Sequence, residues 1–140
     1  MKILIAVDGS PYTKRMLAYL AAHDEWLGDA HQFTVVHSVP AVPPRATAVL
    51  DKALLKAYYD EEAEKVFKPI RTFFKKQGIE ASFVSKVGGA AEVISTTATK
   101  GDFDLLVMGS HGHGSLGNLV LGSVATKVMA HCKTPVLLVR

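Results

Sequence analysis

The chain has 140 residues, 49% of them apolar and 21% charged, which fits one globular domain with a single core and excludes disordered and collagen-like chains. Its formal net charge of +3 comes from scattered basic residues. Lys65, Lys68, Lys75 and Lys76 share a helical stretch with Glu61, Glu62 and Glu64, a solvated face rather than a nucleic-acid footprint. No apolar run of about eighteen residues exists to span a membrane, and a single cysteine, Cys132, suits a reducing compartment.

Residues 3–7 are continuously apolar and predict a first strand. The run meets Asp8 too early for a secretory leader, so a cytoplasmic protein is expected. Ser10 followed by Pro11 pairs an N-cap with a first-turn proline. It opens a helix in which Met16, Leu17, Leu20 and Ala21 recur at helical spacing, with Leu27 one step further. A second strand is predicted over 33–39. The irregular stretch 40–47 after it is expected to form a flexible flap. Leu50, Leu54, Ala57, Ala63, Val66, Phe67, Ile70 and Phe74 then step by three and four, predicting a long helix with those residues inside. Pro69 is expected to kink it, or split it near Val66.

A partly alternating run, 79–87, predicts a third strand, and a helix over 90–98 is stopped by Gly101. A fourth strand is predicted over 104–108. A last helix starts near Ser123 and runs to His131 with Val124, Val128 and Met129 inward, and Cys132 reads as a small buried hydrophobe. The closing strand is 135–139. Continuous apolar runs in the first, fourth and fifth strands indicate a parallel sheet covered on both faces. Alternating strands and helices predict a doubly wound α/β domain over residues 1–140, strand order 3-2-1-4-5, with helices on both faces.

In such a sheet, ligands bind beyond the carboxyl ends of the strands where the strand order reverses, here between strands 1 and 4. Asp8-Gly9-Ser10 follows strand 1. After strand 4 comes the glycine-richest part of the chain, with Gly109, Gly112, Gly114, Gly117 and Gly122. Glycine permits positive φ and lets backbone N–H groups approach an anion. The segment ends at Gly122-Ser123, where a helix N-terminus favours a phosphate and Ser123 Oγ adds a donor. The alternative is a surface loop that Ser123 merely caps. Asp8 is expected to accept from a ribose hydroxyl or to hold water on a phosphate-bound Mg²⁺; the alternative is that it only tightens the turn before Ser10.

His37, His111 and His113 fall near the same edge. No cysteine or carboxylate stands with them at ligand spacing, so they read as polar residues touching phosphate rather than a zinc site. There is no G-x-x-x-x-G-K-[ST], and the G-x-G-x-x-G letters at 112–117 follow the wrong strand. No nucleophile elbow is present either.

Met108-Gly109-Ser110-His111-Gly112, followed after nine residues by Gly122-Ser123-Val124, resembles the G-x2-G-x9-G-[ST] signature of universal stress proteins. The likeness extends through the opening Ile3-Leu4-Ile5-Ala6-Val7-Asp8-Gly9-Ser10, His37, Gly88-Gly89-Ala90-Ala91 and the closing Thr134-Pro135-Val136-Leu137-Leu138-Val139. It implies a Rossmann-like sheet and ATP binding, with Mg²⁺. Ala6, Val7, Asp8 and Ser10 would then serve the adenosine side, and Ser38 the adenine. Met108, Gly109, His111, Gly112, His113, Gly122, Ser123 and Val124 would hold ribose and phosphates. The resemblance also implies a homodimer through the last strand, residues 135–140, whose apolar edge suits such pairing.

Three positions depart from the family pattern. Ser38 stands where an apolar residue is common, Ala90 where proline is common, and His113 where a basic residue is frequent, so phosphate affinity is expected to vary with pH. The function implied is a dimeric, ATP-binding stress-response or regulatory module with little turnover. The rivals are a slow ATPase or self-phosphorylating enzyme in the same pocket, and a dimer that binds no nucleotide. The glycine segment holds neither Lys nor Arg, which disfavours phosphoryl transfer.

Overall fold

Strand propensity and side-chain alternation are enough to build the sheet of this computed structural model, which describes residues 1–114 and 118–140. Ser115, Leu116 and Gly117, within the glycine-rich segment, lie outside the described residues. The strands are β1 (Lys2–Ala6), β2 (Gln32–Val39), β3 (Ala81–Val87), β4 (Leu105–Gly109) and β5 (Val136–Val139). They pair in parallel in the order β3-β2-β1-β4-β5, the predicted one. At the centre, Ile5 lies beside both Val35 and Val107.

The helices are α1 (Pro11–Ala22), α2 (Pro44–Thr47), α3 (Lys52–Lys76), α4 (Ala90–Lys100) and α5 (Ser123–His131). Successive β1 side chains point to opposite faces. Ile3, Ile5 and Val7 pack with Met16 and Leu20 of α1 and Phe67, Ile70 and Phe74 of α3. Leu4 and Ala6 pack with Val93, Ile94 and Ala98 of α4 and Ala125 and Val128 of α5. Ile3, Leu4, Ile5 and Leu106 are wholly buried, each such side chain contributing about 1.5–3 kcal/mol. Among the described residues no helix is long and apolar enough to cross a membrane.

Several local expectations change. α3 continues unbroken through Pro69 for 25 residues. Pro69 stands on the exposed side of the helix, where water reaches the carbonyl that its missing N–H leaves unpaired. At 1.5 Å per residue that helix spans about 37 Å, against about 23 Å for a seven-residue strand such as β3. Its buried residues begin only at Ala63, so its first turns overhang the carboxyl edge of the sheet. That is why Leu54, at core spacing, is 61% exposed and Ala57 is exposed with it: the periodicity is right, but no sheet lies beneath. Leu50, expected as the first inward residue of this helix, precedes its N-cap Asp51 and is exposed outside it.

The stretch expected to be an irregular flap contains α2, and Val42 N–H donates to Tyr59 Oη of α3 at 2.9 Å. Met129 is 50% exposed rather than inward. One residue beyond the buried Val128, it is rotated about 100° away from the core. Cys132 follows α5 and is half-buried beside the α4/α5 core. Leu27 comes after a short 3-10 turn, Asp24–Trp26, and outside α1.

Candidate functional site

The turn from β1 into α1 is closed upon itself. Asp8 Oδ1 accepts from Ser10 N at 2.9 Å and from Thr13 Oγ1 at 3.0 Å, while Asp8 N donates to Thr13 Oγ1 at 3.2 Å. Gly9 has φ +75°, a conformation an L side chain resists. Ser10 is the N-cap of α1, but its side chain caps nothing. Its Oγ is buried and has no partner among the described residues. The turn-tightening role of Asp8 is thus realised through Oδ1, which leaves Oδ2 facing Gly112.

The segment from β4 into α5 is built the other way. Ser110 N–H donates to Val139 O at 2.8 Å, and Gly122 N–H donates to Ser110 O at 2.7 Å. The end of the segment is thereby stitched to its beginning. Gly122, not Ser123, is the N-cap, and Ser123 is the first residue of α5. The N–H groups of Ser123, Val124 and Ala125 belong to the first helical turn, which has no intrahelical acceptors. No side chain caps it among the described residues.

The spaced glycines serve close approach, and none of Gly109, Gly112 and Gly122 has a positive φ. A Cβ on Gly112 would lie 2.8 Å from Asp8 Oδ2. On Gly122 it would lie 3.0 Å from His111 Cα and 3.7 Å from Gly112 N. Asp8, Gly112 and Gly122 therefore form one contact chain, which brings the carboxylate close to the start of α5.

The histidines act first on the protein itself. His37 Nδ1 donates to Val7 O at 2.8 Å, and His113 Nε2 donates to Asp8 O at 2.6 Å. His111 bonds through both ring nitrogens, Nε2 donating to Leu119 O at 2.8 Å and Nδ1 lying 2.9 Å from Ser110 Oγ. A carbonyl only accepts, so His37 Nδ1, His113 Nε2 and His111 Nε2 each carry a proton. Tyr12 lies 5.0 Å from the His111 ring, and Arg15 stacks 4.8 Å above Tyr12.

These turns frame a cleft of about 230 Å³ at the carboxyl edge between β1 and β4. Of the residues singled out in the sequence, Ala6, Val7, Asp8, Ser38, Met108 and Gly109 line it. So do His111, Gly112, His113, Gly122, Ser123 and Val124. Ser10 does not. The Ser38 hydroxyl is already committed, donating to Gly88 O at 2.6 Å.

Sequence reasoning missed Thr13, Val36, Ala90, Ile94 and Ala125 among the lining. The signals for two of them were present. Val36 is the register partner of Ala6, and Ile94 lies on the buried side of α4.

A sequence model described as the Universal stress protein family matches residues 1–140. A universal stress protein in the QAH/OAS sulfhydrylase 3' region of Thermus aquaticus is 36% identical over 138 residues, covering 99% of this chain and 97% of that protein. The structure of the hypothetical protein MJ0577 of Methanocaldococcus jannaschii superposes with TM-score 0.76 at 25% identity, covering 99% and 94% of the two chains. The Archaeoglobus fulgidus universal stress protein, solved in complex with dAMP, shares the fold at TM-score 0.69 and 23% identity, covering 100% and 98%. Structures with AMP and with cAMP bound share it at TM-score 0.70, with 14% and 20% identity.

Proposed function

The chain belongs to the universal stress protein family, and on that premise we propose that residues 1–140 form a nucleotide-binding domain whose cleft takes an adenine nucleotide. The observation that carries this reading is the meeting, in one cleft, of N–H groups at the start of α5, which have no acceptor among the described residues, with an apolar floor. Ala6, Val36, Ile94 and Met108 supply that floor, an apolar bed for a base. Ser123, Val124 and Ala125 supply the donors for a phosphate. Solved structures of the same fold carry dAMP, AMP and cAMP. The glycine spacing adds ATP as a candidate, with a divalent cation held between its phosphates and water on Asp8 Oδ2.

In this reading the protein is a regulatory dimer with little turnover. The strand order leaves the outer edge of β5 unpaired, which suits pairing through residues 135–140. A cytoplasmic setting suits its single thiol, Cys132. Catalysis of phosphoryl transfer is disfavoured because no lysine or arginine lines the cleft among the described residues, and such catalysis needs cationic charge at the transferring phosphate.

Titration with ATP and Mg²⁺, followed by ADP release over hours, tests this reading. Saturable binding without ADP is the expected result. Steady ADP production points instead to the slow ATPase, and no binding of any adenine nucleotide defeats the proposal.

A further inference from the structure

The side chains around the cleft carry an unusual charge inventory for a nucleotide site. Among the described residues, the lining includes Asp8 and three histidines and no lysine or arginine. The segment outside the described residues is Ser115-Leu116-Gly117 and adds no cation. Arg15 is stacked on Tyr12, 4.8 Å from its ring centroid, and is not among the lining residues. What remains for an anion is the partial positive charge of the α5 N-terminus, about half an elementary charge. Set against it is the full negative charge of Asp8, whose Oδ2 sits over Gly112. The donors at the start of α5, three N–H groups and the Ser123 hydroxyl, match the oxygens of one phosphoryl group.

Resting on the reading above, we propose that the cleft selects its nucleotide by charge. It takes a nucleoside monophosphate without any metal, and takes ATP only as a divalent-metal complex. AMP carries about two negative charges near neutral pH and metal-free ATP about four. The second and third phosphates of ATP meet no lysine or arginine among the described lining residues and lie within the field of Asp8. A bound divalent ion returns the net charge of ATP to that of AMP. A repulsion of two extra charges acting across a partly desolvated cleft weakens metal-free ATP on the order of tenfold or more.

Calorimetric titrations of the full chain with AMP and with ATP, each in Mg²⁺ and in excess EDTA, test the proposal. The expected result is an AMP affinity unchanged by EDTA and an ATP affinity at least about tenfold lower in EDTA than in Mg²⁺. His113→Lys, which places a cation at the cleft mouth while keeping a donor for the Asp8 carbonyl, is expected to close most of that gap. Equal ATP affinity in Mg²⁺ and EDTA overturns the charge-selection proposal while leaving nucleotide binding intact. Failure of AMP and ATP alike to bind in either buffer overturns the functional reading itself, and this inference with it.

Discussion

Two helices begin at the cleft's edge, α1 after the Asp8 turn and α5 after the glycine-rich segment, and their N-termini are finished in opposite ways. At α1, Pro11 brings no N–H, the N–H groups of Thr13 and Lys14 both bond Ser10 O, and Asp8 Oδ1 takes the Ser10 N–H. Ser10 and Thr13 are buried. At α5, Gly122 N–H is tied back to Ser110 O, while the next turn keeps its donors and lines the cleft. A helix start that its own chain has filled is a structural joint. One that presents bare N–H groups and a half-charge to an open cleft is an anion site.

The sharpest way to break this contrast is at Gly122. A valine there drives a Cβ against the His111 backbone, which cannot yield as a flexible side chain would. Gly122→Val is expected to lower AMP affinity by about a hundredfold or more, equivalent to roughly 2.7 kcal/mol; retained affinity in a folded variant would contradict the role given to α5.

The structural character of the other turn is tested by stability. Asp8→Ala strands the partly buried Ser10 N–H and Thr13 hydroxyl, and is expected to cost about 1–3 kcal/mol in a urea melt. Asp8→Asn keeps an acceptor for both and is expected to recover most of that loss. If the two variants unfold alike, the carboxylate is not the keystone of the turn.

The smallest effect concerns His113. Its Nε2 donates to the Asp8 carbonyl at 2.6 Å across the cleft mouth, so His113→Ala removes one bond between the two turns. That variant is expected to weaken AMP binding only a few-fold, the loss of roughly one ordinary hydrogen bond of about 1 kcal/mol. Affinity identical to that of the unaltered protein would remove His113 from the account.

Much of this geometry was written in local patterns. The continuous apolar runs 3–7 and 136–139 announced strands buried on both faces, and the alternation of elements gave the strand order. That order is what set Asp8 beside the glycine segment. Long-range matters were less legible. Helical spacing at Leu54 and Ala57 predicts a buried face, but whether a sheet lies under it depends on the relative lengths of α3 and β3. The glycines suggested positive φ, whereas their actual role, clearance from Asp8 and His111, needs the three-dimensional neighbours. Ser10 illustrates the same limit: its position beside Asp8 implied the cleft, yet its side chain is buried away from the lining. The histidines stand out in sequence for their chemistry, whereas their bonds to Val7, Asp8 and Leu119 depend on the three-dimensional neighbours.

The most direct test of the contrast between the two helix starts is a backbone amide NMR titration with AMP. The largest shifts are expected at the N–H groups of Ser123, Val124 and Ala125, with Tyr12, Thr13 and Lys14 of α1 little moved. Shifts centred on the start of α1, with the α5 amides unchanged, would contradict the account.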